Sequence, residues 1–199
     1  MTQVESAVPV DDALTAATAL FMTACSQAET PQTDPAPETP LPTETSGESL
    51  PSMLNARGTL TGVDGAEIGD VNLIEGPNGV LLRVTVQPGS LEPGWHGLHL
   101  HQVGDCSDIG TFTNSGGHIG KIEGGHGLLN PAGPEGGDIP NIWVAANGSA
   151  GYEAFTTLTT GAELLDDDGA ALIIHADEDD HMSQPIGGAG PRVACAVIN

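Results

Sequence analysis

The apolar residues of this chain come in short runs separated by Gly, Pro, Asn and Asp, and this spacing restricts the fold more than any other feature. In the run from Val80 to Gln87, Val80, Leu82, Val84 and Val86 occupy alternate positions. Side chains two residues apart share one face of a strand, so the run predicts a half-buried antiparallel strand. The 28 glycines and the low aromatic content of 3% are typical of short strands joined by many turns.

Further runs of the same kind follow along the chain. These six runs are residues 56–62, 66–76, 141–147, 152–159, 170–175 and 192–198. With Val80 to Gln87 and a strand that includes Trp95 to His101, the chain has about eight predicted strands. No long stretch has the apolar period of a helix. We therefore expect an all-β domain with a closed or sandwiched antiparallel sheet.

The composition predicts three regions. Residues 1–25 form a signal-like segment, since residues 13–24 are apolar or small and end at Cys25 in a pattern close to a lipobox. Cys25 would then carry a lipid and anchor an exported, periplasmic or envelope-bound protein to a membrane. No Lys or Arg precedes the apolar run, so a misplaced start or a poorly ordered extension is the alternative. Residues 26–52, rich in Pro, Thr and Glu, predict a disordered tether, and residues 53–199 predict the folded domain.

The charge of the chain is strongly negative. It has 27 acidic residues against four basic ones, which are Arg57, Arg83, Lys121 and Arg192. Nucleic acid is excluded as a partner because almost nothing here could neutralise phosphates. The acidity indicates a solvated surface rather than a specific cationic partner.

The chain has three cysteines, and whether they form a disulfide depends on whether the protein is in an oxidising compartment. If Cys25 is lipidated, Cys106 and Cys195 remain, and a pair of cysteines in a Gly-rich exported domain predicts one disulfide. Two buried free thiols are the alternative.

Histidines are concentrated around one predicted strand. His99 and His101 are two residues apart, so their rings point to the same face and are well placed to bind one metal ion. We interpret His96 as structural and His181 as an exposed loop residue, with an extra metal contact as the alternative for His181. The downstream residues that could add ligands are His118, His126, Glu135, Asp138 and His175. Five histidines with two carboxylates suit two ions, for which copper and zinc are the natural pair.

These residues stand in motifs that resemble a known family. The segments HGLHLHQVGDC (96–106), GGHIG (116–120), HGLLNPAGPEGGDIPN (126–141), LIIHADEDD (172–180) and GGAGPRVACAVI (187–198) are similar to the ordered motifs of bacterial copper/zinc superoxide dismutases. The resemblance covers about residues 56–198. It implies an eight-stranded antiparallel Greek-key β-barrel or sandwich with long metal-binding loops, an architecture of which this enzyme is a recognised example.

The resemblance also implies the ligand sets. Copper would be held by His99, His101, His118 and His175, and zinc by His118, His126, Glu135 and Asp138. Glu135 departs from the family pattern, in which a histidine usually stands three residues before the zinc aspartate. A carboxylate is an acceptable zinc ligand, and the alternative is that Glu135 points to solvent and zinc binds weakly.

Other roles are implied in the same way. Asp179 matches the carboxylate that links a copper histidine to a zinc histidine, Cys106 and Cys195 match the family's disulfide, and Arg192 matches the arginine beside the copper channel. The implied reaction is disproportionation of superoxide to O₂ and H₂O₂ by Cu(II)/Cu(I) cycling. The resemblance also implies that His118 would bridge the two metals and carry a proton to the peroxide.

Several alternatives stay open at this point. Because the substrate is an anion and the chain is acidic, attraction must be local, through Arg192 and, in one interpretation, Lys121. A dismutase that uses copper alone and a copper-binding domain without turnover are the alternative functions. The sequence leaves a monomer and a homodimer equally open.

Overall fold

We describe the fold from a computed structural model, which defines the structure of residues 54–199. The predicted signal-like segment 1–25, its lipidated Cys25 and the predicted tether 26–52 lie outside the described residues. Within the described part of the chain, no helix is long and apolar enough to cross a membrane.

Eight antiparallel strands make up the domain, as the apolar runs predicted. They are β1 (Leu54–Gly62), β2 (Glu67–Gly76), β3 (Gly79–Val86), β4 (Gly94–His101), β5 (Asp138–Val144), β6 (Ala150–Thr156), β7 (Ala170–His175) and β8 (Arg192–Ile198). Helical structure among these residues is limited to a 3₁₀ turn at Thr113–Ser115 and one short helix, α1 (Gly161–Leu164). The all-β prediction is confirmed.

The strands form one sheet in the order β5-β4-β7-β8-β1-β2-β3-β6. Its two end strands, β5 and β6, are consecutive in the chain, and the hydroxyl of Tyr152 on β6 donates to the carbonyl of Pro140 on β5 at 2.7 Å. The sheet therefore curls into a nearly closed barrel. Around the closed barrel β6 and β5 therefore lie between β3 and β4, so the connection from β3 to β4 skips two strands, as in a Greek key.

The barrel interior takes the alternating side chains of the strands. Val80, Leu82, Val84 and Val86 of β3 are all buried, which confirms the face predicted for that run. The core is built mainly of Val, Leu, Ile and Ala. Aliphatic side chains that are removed from water contribute roughly 25 cal/mol per Å² of buried apolar surface, so this filled interior gives β4 and β7 a firm support.

Two long loops, residues 102–137 after β4 and residues 176–191 after β7, cover the outside of the barrel beside these strands. A disulfide joins Cys106 of the first loop to Cys195 of β8, with a Cα–Cα distance of 5.9 Å. The predicted disulfide is confirmed. Phe112 packs fully buried in a small cluster with Cys195, so the bridge and this side chain together fasten the first loop to the barrel.

Removing the disulfide tests how much this fastening contributes to stability. The two cysteines are 89 residues apart in sequence, so the bridge restricts a long loop of the unfolded chain. In the chain-entropy model such a loop corresponds to about 4 kcal/mol. We expect the Cys106→Ser/Cys195→Ser variant to lose about that much free energy of unfolding in denaturant titrations. Cys25→Ser, which keeps the bridge, is the control; equal stability of all three proteins would contradict the expectation.

Candidate metal centre

Strands β4 and β7 bring three histidines together. His99 and His101 lie on one side of β4, and His175 is the last residue of β7, which pairs with β4. Ring nitrogens from the three residues lie within 4.8 Å of one another. All three rings are buried. The pleat of the strand thus places the HxH pair as its spacing predicted.

Backbone carbonyls fix the orientation of two of these rings. The Nδ1–H of His101 donates to the carbonyl of Gly116, and the Nδ1–H of His175 donates to the carbonyl of Gly190, each at 2.9 Å. A neutral imidazole has only one N–H, so each Nε2 carries a free lone pair. Both Nε2 atoms are buried and have no hydrogen-bond partner.

His99 is oriented by a carboxylate instead. Its Nε2–H donates to Oδ2 of Asp179 at 2.8 Å, and its Nδ1 is buried without a partner. The three histidines therefore direct three bare lone pairs toward the same small region. A metal ion is the group that would satisfy all of them.

Burial also keeps these rings uncharged. Desolvation is the largest cause in each case, and the neighbouring histidines add to it. Together they lower the pKa of His99 to about 4, that of His175 to about 3 and that of His101 well below its usual value. At neutral pH all three are in the form that binds a metal.

His118 stands between two groups of side chains, and its Nε2 has no hydrogen-bond partner although the residue is only 3% exposed. Its ring centroid is 4.3 Å from that of His99 and 5.1 Å from that of His126. Its Nδ1 lies 2.8 Å from Oε2 of Glu135 and 3.3 Å from Oδ1 of Asp138. A buried polar atom without a partner costs roughly 1–3 kcal/mol, so burial favours a ligand at Nε2 of His118. On the Nδ1 side, two carboxylates next to an imidazole form a group that can bind a cation.

Backbone N–H groups aim the two carboxylates at His118. Oδ2 of Asp138 accepts from the N–H groups of Gly127 and Glu135 at 2.8 and 2.9 Å, which leaves Oδ1 for the site. Oε1 of Glu135 accepts from the N–H of Ile122 at 3.0 Å, which leaves Oε2 facing His118. Glu135 is buried, so the alternative that it points to solvent is wrong.

His126 completes this second group. Its Nδ1 lies 2.8 Å from Oδ1 of Asp138, and atoms of His99, His118, His126 and Asp138 lie within 4.8 Å of one another. Burial alone would lower the pKa of His126, but hydrogen bonds to Asp138 and Asp179 outweigh it and raise the pKa to about 9. Burial would raise the pKa of Asp138, but hydrogen bonds from His118 and His126 hold it well below its usual value.

Asp179 connects the two groups. Its Oδ2 accepts from His99, as described, and its Oδ1 lies 3.2 Å from Nε2 of His126. The side-chain amide of Asn141 holds the backbone of Asp179 from both sides, accepting from its N–H at 3.1 Å and donating to its carbonyl at 2.8 Å. Gly187, with φ of +63°, passes so close that a Cβ there would lie 1.5 Å from Oδ1 of Asp179, so only glycine fits.

Arg192, the first residue of β8, presents a positive charge beside the three-histidine group. Its guanidinium donates to the carbonyls of Phe112 and Gly116 and to the hydroxyl of Ser115. Burial lowers the pKa of Arg192, yet an arginine stays protonated at neutral pH. A cavity of about 320 Å³ is lined by both Arg192 and His175.

Three further residues singled out in the sequence lie around this centre. Both ring nitrogens of His96 face carbonyl oxygens, those of His175 and Glu92, at 2.8 Å. His181 is not a free loop residue, since its ring is only 19% exposed and its Nδ1 lies 3.4 Å from Oδ2 of Asp179. Lys121 is exposed in the loop after His118.

Among the described residues, the structure places His99, His101 and His175 in one group and His118, His126 and Asp138 around His99 in a second. Glu135 lies beside His118, and Arg192 lies beside His175. Sequence reasoning missed the carbonyls of Gly116 and Gly190, the amide of Asn141 and the hydroxyl of Ser115. Backbone carbonyls are the same in every residue and leave no sequence signal. Ser115 lies outside the motifs quoted above, and Asn141 ends one of them but is not distinguished there from an ordinary strand residue.

Comparison with known proteins agrees with this geometry. Residues 67–198 match the family model described as copper/zinc superoxide dismutase (SODC). The protein "Superoxide dismutase [Cu-Zn]" of Caulobacter vibrioides is 46% identical over 142 residues, which cover 68% of this chain and 80% of that protein. "Superoxide dismutase [Cu-Zn] 2" of Aquifex aeolicus is 38% identical over 156 residues, covering 75% of this chain and 90% of that protein.

A solved structure gives the same result. The Cu/Zn superoxide dismutase from Brucella abortus superposes with a TM-score of 0.61 at 26% identity, covering 73% of this chain and all (100%) of that chain. The extent of the family match and the identity to full-length relatives settle the assignment: this chain belongs to the copper/zinc superoxide dismutase family.

Proposed function

We propose that this protein disproportionates superoxide to O₂ and H₂O₂, with copper held by His99, His101, His118 and His175 and zinc held by His118, His126, Glu135 and Asp138. The observation that carries the proposal is the set of buried ring nitrogens without partners, namely Nδ1 of His99 and Nε2 of His101, His118 and His175. A non-catalytic copper carrier has no evident need for the charge of Arg192 beside the copper ligands.

The copper set is made of imidazoles alone, a donor type that suits this metal. Copper supplies the change of oxidation state that takes an electron from one superoxide and gives it to another. The protein contributes rigid ligands, since Gly116, Gly190 and Asp179 each fix one ring through the nitrogen that does not face the metal. Such fixed rings hold their tautomer through the reaction.

The zinc set has two imidazoles and two carboxylates, a donor set and number that zinc accepts. The inward position of Glu135 supports a complete four-ligand site and speaks against a dismutase that uses copper alone. With two anionic ligands, this set is more negative than one in which a histidine takes the place of Glu135.

His118 is the residue that we assign to proton transfer. Formation of H₂O₂ from two superoxide ions consumes two protons. The Nε2 of His118 is buried and has no partner, and the ring lies 5.2 Å from that of His101, so this nitrogen can hold one of these protons and release it again. The Nδ1 on the opposite edge of the ring faces Glu135 and Asp138, which keeps the ring in place meanwhile.

Arg192 is assigned to substrate attraction. The chain carries a formal net charge of −23, so its overall field repels an anion. The fixed guanidinium of Arg192 next to His175 provides a local positive charge in the cavity that both residues line.

We also propose that the protein works outside the cytosol, because structural disulfides such as Cys106–Cys195 persist in oxidising compartments. The lipobox-like Cys25 would anchor it to the envelope.

We expect the full chain, expressed in a bacterium that makes lipoproteins, to partition with membranes and its Cys25→Ser variant to appear in the soluble exported fraction. Equal partitioning of both proteins would contradict anchoring through Cys25.

Turnover tests the proposed function. We expect the protein loaded with copper and zinc to remove superoxide far faster than spontaneous disproportionation, and Arg192→Ala to lower the second-order rate constant about tenfold, since local steering contributes at least that much. Arg57→Ala is the matched control because it removes the same charge from an exposed position on β1. Pulse radiolysis measures the rates. No turnover despite bound copper would leave a copper-binding domain without this activity.

Zinc affinity tests Glu135. We expect Glu135→Gln to weaken zinc binding about tenfold or more, because the substitution removes the charge of a buried ligand, and Glu135→His to retain it. Competition with a chromophoric chelator measures the affinity. Glu123→Gln, an exposed residue of the same loop, is the control. Unchanged affinity in Glu135→Gln would remove Glu135 from the zinc set.

The pH dependence of zinc binding tests the state of His126. The pKa of His126 is raised to about 9, so below that pH the ring holds a proton that zinc must displace. Zinc affinity should therefore rise by about tenfold per pH unit between pH 7 and 9 and level off above that. Calorimetric titration with zinc in buffers of different ionisation enthalpy should show that about one proton is released for each zinc ion bound at pH 7.5. An affinity independent of pH in this range would contradict the assignment.

A further inference from the structure

We propose that Ser115 is a positioning residue that couples the guanidinium of Arg192 to the copper-facing ring of His101. This inference rests on the copper site proposed above. Ser115 belongs to no motif used in the assignment and is not itself one of the proposed metal ligands. Its importance follows from where its hydroxyl lies.

The hydroxyl of Ser115 is completely buried and uses all of its hydrogen-bonding capacity. It donates to the carbonyl of Phe112 at 2.8 Å. It accepts from Nη1–H of Arg192 at 2.9 Å, and it lies 3.3 Å from Nδ1 of His101. Because the Nδ1 of His101 carries the proton that it donates to Gly116, the serine oxygen is a second acceptor for that proton. One donor and two lone pairs are thus all employed.

Ser115 and Gly116 act on the same two groups. The carbonyl of Gly116 accepts from Nη2–H of Arg192 at 2.7 Å and from Nδ1–H of His101 at 2.9 Å. Of the side chains that the structure describes, that of Ser115 alone hydrogen-bonds to both Arg192 and His101. Two separate nitrogens of the planar guanidinium are therefore held, which fixes the direction of its positive charge.

The same contacts act on the metal ligand. Two oxygens around the Nδ1–H of His101 make its Nε2 a stronger donor than one oxygen would. Ser115→Ala removes one of them and also one of the contacts of Arg192, while the carbonyls of Phe112 and Gly116 stay in place. The fold should therefore survive the substitution, and its effect should be confined to the orientation of Arg192 and the basicity of His101.

Anion binding to the copper-loaded protein tests the coupling without relying on turnover. Azide, a small anion that binds Cu(II), gives a dissociation constant by absorption titration. We expect Ser115→Ala to weaken azide binding about tenfold, at the lower end of what is lost when a partner of a ligand is removed. Ser149→Ala, which removes a hydroxyl that bonds only within a distant turn, should not change it. Ser115→Thr, which keeps a hydroxyl, should restore the affinity to within about twofold of the native value.

A double-mutant cycle decides whether the effect passes through Arg192. In the Arg192→Ala background, Ser115→Ala should weaken azide binding less than about twofold, because the residue that it positions is gone. The Cu(II) hyperfine splitting should still change in that background, through His101. Two results would overturn this inference but leave the proposed copper site standing. One is an unchanged azide affinity in Ser115→Ala, and the other is an equal loss of azide affinity on Ser115→Ala with and without Arg192. A native protein that binds copper but no azide would overturn the proposed copper site, and the inference with it.

Discussion

A buried imidazole must direct each of its ring nitrogens at a partner, and this constraint organises the whole centre. In His101 and His175 one nitrogen meets a backbone carbonyl, and in His99 it meets the carboxylate of Asp179. The opposite nitrogen of each ring is left bare in a dry site. In His118, Nε2 has no partner, and Nδ1 lies beside the carboxylates of Glu135 and Asp138 at 2.8 and 3.3 Å. Burying these nitrogens without a partner costs free energy, and none of the described residues supplies the missing partner. The geometry therefore points to two ions that share the ring of His118.

The barrel makes this arrangement possible because it provides rigid support on which two loops converge. Strands β4 and β7 position His99, His101 and His175, and the first loop together with the start of β5 positions the other proposed ligands. The second loop contributes Asp179, which orients two of the rings. Asp179 joins the loops by contacting His99 and His126 at once. The Cys106–Cys195 disulfide and buried Phe112 hold the first loop against β8, where Arg192 receives its contacts. The same contacts therefore stabilise the loops and hold the side chains of the site in position.

The sequence was sufficient for the parts of the structure that follow from periodicity and local spacing. Alternation in Val80 to Val86 predicted a buried strand face, and the spacing of His99 and His101 placed two rings on one side of β4. The direction of Glu135 could not be predicted, because it depends on the N–H of Ile122, a backbone group that is brought near only by the fold. The contacts of Ser115 and Gly116 with Arg192 could not be predicted either. Both residues are 76 or more positions from Arg192 in sequence, and a hydroxyl and a backbone carbonyl are groups that any loop could supply.

Electron paramagnetic resonance of the protein with Cu(II) in both metal sets tests most directly whether His118 serves both. A shared imidazole ring bonded to two paramagnetic ions transmits spin coupling between them. We therefore predict that the signal of two Cu(II) ions is largely lost through coupling, and that a normal Cu(II) signal returns when zinc, which has no unpaired electron, replaces the ion bound by His126, Glu135 and Asp138. Two independent Cu(II) signals of additive intensity would contradict the shared ring.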